Sequence, residues 1–267
     1  LIAVSDRLFE VGVKKIRRIG HSMEFEQIKE YVLGDDYRTV NWKATARKRQ
    51  LMVNHYVDEK SQQVYSIIDM GRTMKMPFDK MSLLDYAINS SLVISNIALL
   101  KQDKAGIIAF NNKVTSVLPA ERNPLQMKKI VELLYSQQTE FLESDYERLA
   151  AVVKSKIKQR SLLLFYTNFE TANSLKRQMN YFKSLASSHL LIVIFFKNTG
   201  LDKMMNSKSD TIEEIYRKTI AEKFSFEKKI IQKELALIGI QSILTTPEQL
   251  SVNTINKYLE LKARGMI

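Results

Sequence analysis

Five short apolar runs constrain this chain most. They are Val64–Ile68, Ala105–Phe110, Leu162–Thr167, Leu190–Phe196 and Ile240–Leu244. Each is strand length, and apolar residues fill both side-chain phases, so each strand must be covered on both faces. Between most of them lie segments with helical spacing. Ser82 is a candidate N-cap for Leu83–Leu100, where Leu84, Ala87, Ile88 and Leu92 recur at helical intervals. The second half of that segment is apolar almost all round, which predicts a helix enclosed by other elements. Pro124–Tyr135, Tyr146–Lys158, Ser174–Leu185 and Thr211–Ile238 follow as helices, the last closed by Gly239. Thr246, Pro247 and Glu248 form a cap, a first-position proline and an acidic first turn for a final helix. Strands that alternate with helices predict an α/β doubly wound, mostly parallel sheet with helices on both faces. The exception is one antiparallel hairpin, because Asn111-Asn112 joins Ala105–Phe110 to Val114–Leu118.

The opening segment has a different grammar. Glu24 to Arg47 holds the single Trp, a Gly34-Asp35-Asp36 turn, and Arg38, Lys43 and Arg47 just behind it. This mixture suits neither a plain strand nor a plain amphipathic helix. Asp36 or Thr39 is expected to cap a short helix running through Trp42 to Arg47, and Arg38 is suited to pair with a carboxylate. Tyr37 and Trp42 are rigid aromatics of the kind that anchor interfaces. A large aromatic is usually at least partly buried, which also allows Trp42 to pin this segment onto the sheet. Leu51–Val57 alternates as a strand. The polar stretch Asp58-Glu59-Lys60-Ser61 marks a boundary near residue 60, giving an N-terminal extension, 1–60, and an α/β body, 61–267.

Composition excludes several chemistries. There is no Cys, so disulfides and thiolate catalysis are out. The three His residues, His21, His55 and His189, are isolated and lack metal-ligand spacing. No phosphate-binding loop, dinucleotide fingerprint, nucleophile elbow or nucleic-acid signature is present. No stretch approaches the ~18 consecutive apolar residues of a membrane span, and Leu1 to Val4 does not begin a signal peptide. The chain opens on Leu1, so a longer protein is expected around it. Formal net charge is +12, partly clustered at Lys14-Lys15-Ile16-Arg17-Arg18. That attracts phosphate-rich surfaces, although the remaining basic residues interleave with Glu as on ordinary solvated helices.

Chemistry concentrates where the first body strand ends. Asp69, Gly71 and Thr73 have the spacing of an Asp-x-Ser-x-Ser loop, in which a carboxylate and two hydroxyls offer oxygen ligands to a hard divalent ion. Gly71 supplies no hydroxyl, so the set is incomplete. The same loop also reads as a turn in which Asp69 caps local amides. Asp145 and Asn168 are candidates to approach Asp69 at the same sheet edge, and each also reads as a helix cap or a turn residue.

These segments resemble the bacterial domain-of-unknown-function-58 family, a group related to the von Willebrand factor A domain. The resemblance is carried by Glu24 and Phe25, Glu30 and Tyr31, Gly34-Asp35-Asp36, Arg38, Asn41-Trp42-Lys43, Ala46-Arg47 and the Asp69-to-Met74 loop. Further matches are Asp103 with Gly106, Asp145-Tyr146, and Arg160-Ser161 leading into the strand before Thr167. It implies a six-stranded, mostly parallel sheet with a metal-dependent adhesion-type edge at Asp69, Thr73 and Asp145, lined by Gly71, Arg72 and Asn168. Gly71 and Asn168 depart from the family's usual Ser and Asp, so Mg²⁺ or Mn²⁺ is expected to bind weakly or not at all. The resemblance further implies a non-enzymatic adaptor working with a MoxR-type AAA+ ATPase. Membrane-spanning helices would precede this region and tether it to the cytoplasmic face of the bacterial inner membrane. Partner contact is assigned to Asp35, Asp36, Tyr37, Arg38, Asn41, Trp42 and Arg47. The alternatives are a phosphoester hydrolase using Asp69, Asp145 and Mg²⁺, or charge-driven binding to nucleic acid or a membrane surface.

Overall fold

The computed structural model describes residues 23–58, 61–79, 81–137, 139–198 and 212–266. The basic cluster Lys14 to Arg18 and His21 lie outside them. The chain divides into two compact units, residues 1–60 and 61–267.

In the first unit, β1 (Met23–Glu30) pairs antiparallel with β2 (Met52–Asp58). The sequence hid β1, because a register shift between Phe25 and Gln27 breaks the two-residue alternation. Gly34 turns the chain at φ 110°, a left-handed value that favours glycine. Asp36 caps a single 3₁₀ turn, Tyr37–Thr39, through its bond from the Arg38 amide. The expected caps are thereby corrected: Asn41 caps α1 (Trp42–Lys48), its Oδ1 accepting from the Ala44 amide. Asn41 is the better cap because its Nδ2 also reaches Asn54 Oδ1 on β2, at 2.9 Å, and fixes the helix start.

The second unit is built on a six-stranded sheet in the order β10-β9-β8-β3-β6-β7. Its strands are β3 (Gln63–Asp69), β6 (Lys104–Phe110), β7 (Val114–Glu121), β8 (Leu162–Tyr166), β9 (Leu190–Phe196) and β10 (Gln241–Thr245). All pairings are parallel except β6 with β7. A small hairpin, β4 (Pro77–Phe78) with β5 (Met81–Ser82), lies outside this sheet and was not legible in the sequence.

Strand alternation sends successive side chains to opposite faces. Tyr65, Ile67, Leu163, Phe165, Val193 and Phe195 pack under α4 (Tyr146–Lys156), α5 (Ala172–Ala186) and α6 (Ile212–Leu237). Val64, Ile68, Leu164, Tyr166, Ile192 and Ile194 pack under α2 (Leu83–Leu100), α3 (Gln126–Tyr135) and α7 (Leu250–Ala263). The doubly wound sheet with helices on both faces is therefore the observed architecture.

Two local expectations need correction, one on α2 and one before α7. Helix α2, at 18 residues and mean hydropathy 1.4, is long and apolar enough to cross a membrane by length and composition. Its Leu84, Ala87, Ile94 and Ala98 pack into the sheet core, so here it serves as a core helix. Its second half is not fully enclosed, since Val93 and Leu100 are exposed. The Thr246-Pro247-Glu248 signature opens a 3₁₀ turn, Pro247–Gln249, which leads into α7, and the Thr246 side chain makes no cap bond.

Gly106 shows how tightly β6 is packed. A Cβ there would meet the Tyr65 ring at 2.5 Å and the Ala120 amide nitrogen at 2.9 Å, where that amide donates to Tyr65 Oη. Gly106→Ala is expected to destabilise the second unit by ~1–3 kcal/mol through overpacking. A lowered denaturant midpoint at unchanged slope would show this. An unchanged midpoint would mean the Tyr65 ring yields freely.

Candidate functional site

The chain runs from β3 outward to β6 and β7, then returns to β8 on the other side of β3 and continues to β9 and β10. The switch in winding direction therefore falls between β3 and β8. In open α/β sheets the crevice beyond the strand ends at such a point is where ligands bind. Asp69 ends β3, and Thr167 and Asn168 follow β8. A cleft of about 190 Å³ opens there, lined by Asp69, Arg72, Thr73, Ser144, Asn168 and Arg177 among others.

Asp69 is fully enclosed, and both carboxylate oxygens are engaged. Oδ1 accepts from the Gly71 amide at 2.8 Å and from Ser144 Oγ at 2.5 Å. Oδ2 accepts from Thr167 Oγ1 at 2.7 Å and from Tyr146 Oη at 3.0 Å. Tyr146 Oη and Thr167 Oγ1 lie 3.0 Å apart. Burial pushes the Asp69 pKa up, while the bonds from Ser144, Thr167, Gly71 and Tyr146 pull it back. Burial and then the Asp69 charge push the Tyr146 phenol well above its usual range. The Tyr146 ring stacks with Phe165 and meets Phe110 and Phe182 edge-on, which fixes its hydroxyl toward Asp69.

Ser144 and Tyr146 were not assigned roles from the sequence, although they flank Asp145. Gly71 explains why Ser144 matters: a Cβ at position 71 would lie 2.0 Å from Ser144 Oγ. The hydroxyl missing from the Asp-x-Gly-x-Thr loop is thus replaced, from another loop, by one that occupies the space a larger residue 71 would need.

Asp145 is placed differently from the expected ligand set. Its Oδ1 caps α4 by accepting from the Arg148 amide, and its Oδ2 pairs with Arg148 Nε at 3.1 Å. Asn168 Nδ2 donates to the Thr73 carbonyl at 3.4 Å, and its Oδ1 accepts from Lys228 Nζ at 2.5 Å. Lys228 also donates to the Phe169 carbonyl at 2.6 Å. Burial pulls the Lys228 pKa down to about 8, against the charge of Glu170. Among the described residues no three His, Cys, Asp or Glu side chains converge on one point. With four donors on Asp69, Asp145 spent on a helix cap and an ammonium on Asn168, the donor set is a poor match for a resident Mg²⁺.

The first-unit residues form their own surface. Asp35 accepts from Lys29 Nζ at 3.0 Å and from the Val32 amide at 3.1 Å, and these bonds hold its pKa below the usual carboxylate value. Arg38 makes no ion pair among the described residues and lies over the Tyr37 ring at 5.9 Å. Trp42, expected to be at least partly buried, is 72% exposed, as is Tyr37.

Residues 27–199 match the family described as "Protein of unknown function DUF58". The chain belongs to that family. Similar solved structures include BatB from Bacteroides thetaiotaomicron, at 12% identity and TM-score 0.47, covering 76% of this chain and all of that one. The SpRpn10 von Willebrand factor A domain is similar at 11% identity and TM-score 0.41, covering 74% and 95% of the two chains. A serine-substituted aerotolerance-related membrane protein from Bacteroides fragilis NCTC 9343 shares 17% identity at TM-score 0.38, covering 51% and 67%. No curated protein matches the chain.

The Asp69 environment makes a pH prediction. A carboxyl whose folded pKa is raised stabilises the fold fully below its unfolded value, ~3.9, and loses that contribution as pH rises through the folded value. Wild-type stability should carry this fall, and Asp69→Asn should flatten it. Denaturant midpoints across the acidic range would show the difference, and parallel profiles would contradict the raised pKa.

Proposed function

We propose that this chain is a non-enzymatic protein-interaction module, with one contact surface at the Asp69 edge and another on the exposed face of the first unit. The supporting observation is that the buried carboxylate at the switch point has both oxygens tied to internal donors. A general base or nucleophile needs a free lone pair directed at substrate; Asp69 instead braces the loops that shape the cleft. Phosphoester hydrolysis would require Asp69 and Asp145 on one ion, and their carboxylates serve different bonds. The rim of the cleft presents Arg72, Arg177 and Glu143, a mixed-charge lining suited to reading polar groups of a protein partner.

On the first unit, Tyr37 and Trp42 are exposed, as is Leu33 at 97%. Rigid aromatics in such settings are frequent interface anchors. The partner we assign is a MoxR-type AAA+ ATPase, an assignment that rests on the family resemblance. Tethering of the longer protein at the cytoplasmic face of the bacterial inner membrane belongs to the same reading, with any Mg²⁺ or Mn²⁺ bound weakly or not at all.

Affinity capture of the native protein from its own cells, with Mg²⁺ or with EDTA, should recover an AAA+ ATPase in both conditions. In a purified pair, Trp42→Ala should weaken binding ~30-fold, the equivalent of ~2 kcal/mol at an anchor residue, without lowering the unfolding temperature. Unchanged affinity in Trp42→Ala would remove the first-unit surface from the contact. Unchanged affinity in a folded Asp69→Ala would remove the sheet edge.

A further inference from the structure

On the other side of the Asn168–Glu170 loop lies a cavity that the proposed function does not use. Its volume is about 420 Å³, within the ~300–1,000 Å³ of small-molecule sites. Its walls are mainly apolar: Phe78 of β4, Leu83 of α2, Phe196 of β9, Phe224 of α6 and Leu244 of β10 all contribute. Leu83 and Phe196 belong to the sheet core, so the floor is rigid, whereas Phe224 is 40% exposed and forms a lip.

One buried charged group, Lys228, interrupts this lining. Lys228, on α6, directs its ammonium to two neutral acceptors, Asn168 Oδ1 and the Phe169 carbonyl, and lies 5.7 Å from the Phe195 ring centre. It makes no ion pair among the described residues. An ammonium has three donors, so one remains after these two bonds. A desolvated cation hydrogen-bonded only to neutral acceptors is costly; the nearby Glu170 charge offsets part of that cost, and an anion reaching the ammonium across apolar walls would offset more. Lys229 also lines the cavity, and among the described residues Glu170 is the one carboxylate in its wall. The one remaining ammonium donor suits a single carboxylate oxygen. A phosphate would bring more charge and more acceptors than Lys228 can serve, close to Glu170.

We infer that this cavity is a binding site for an amphipathic monoanion, with an apolar body against Phe78, Phe196, Phe224 and Leu244 and one carboxylate on Lys228. The same chemistry is offered by a free aliphatic acid and by the terminal residue of a peptide with an apolar C-terminus. The site is separate from the Asp69 cleft, and its test is independent of partner binding there.

The test is calorimetric titration of the whole chain with octanoate, octanol, and a short peptide ending in Leu with either a free or an amidated C-terminus. Octanoate should saturate and bind at least tenfold more tightly than octanol. Lys228→Met should abolish that preference while leaving octanol binding unchanged. Ser225→Trp, which places a large side chain at the mouth from an exposed helix, should remove binding of both. A free-carboxylate peptide that binds more tightly than octanoate would identify a protein tail as the natural source, and the reverse order would identify a free acid. Equal affinity for acid and alcohol, equal affinity for free and amidated peptide, or a preference for octanoate that survives Lys228→Met would overturn the inference. If circular dichroism shows Lys228→Met to be unfolded, unchanged octanoate binding by Ser225→Trp overturns it instead.

Discussion

The second unit turns on one buried carboxylate. Asp69 draws donors from its own loop (Gly71), from the loop before α4 (Ser144), from the first turn of α4 (Tyr146) and from the end of β8 (Thr167). The Asp69 loop, the Ser144–Tyr146 stretch and Thr167 are far apart in sequence and meet where the sheet reverses its winding between β3 and β8. An ionised carboxylate in that position is tolerable only while its lone pairs are satisfied. The four donors therefore fix the positions of three chain segments, 69–71, 144–146 and the end of β8, relative to one another. The cleft above them is shaped by this bracing, which makes it a surface of defined form with little spare reactivity.

The same logic separates two meanings of a motif. An Asp followed by two hydroxyl positions can hold a hard cation when the oxygens face a common point and their lone pairs are free. Here Gly71 makes room for Ser144, and Ser144 spends its proton on Asp69. Asp145 caps its helix, as its position before Tyr146 allows. The spacing was readable in the sequence, but the allocation of lone pairs was not, because it depends on contacts between residues 75 to 98 positions apart.

That distinction also explains how far the sequence could be read. Strands β3, β6, β8 and β9 were legible because burial on both faces leaves no alternation to disguise them, whereas β10 is a half-buried edge strand. The capping box of α2, Ser82 with Asp85, was legible in part because it is local. Strand β1 was not, because its bulge moves polar and apolar residues out of phase. The true cap of α1 was missed because Asn41 is selected over Asp36 and Thr39 by its second bond, to Asn54 across the hairpin. Trp42 was misplaced by a rule about average burial, which says nothing about a residue whose exposed side chain is available to a partner. Ser144 and Tyr146 were hidden behind Asp145, whose charge made it the legible member of the triplet.

Asn168 joins the two halves of this edge. Its amide hydrogens face the Thr73 carbonyl and its oxygen faces the Lys228 ammonium, an orientation required by the donor and acceptor on either side. An Asp at this position would lose the donor to Thr73 and place a full negative charge 2.5 Å from Lys228. The resulting ion pair would neutralise the cation and withdraw it from the apolar cavity. Asn rather than Asp at position 168 thus has a consequence for the cavity as well as for the cleft. It leaves the Lys228 ammonium in the cavity wall, bonded to Asn168 Oδ1 and the Phe169 carbonyl.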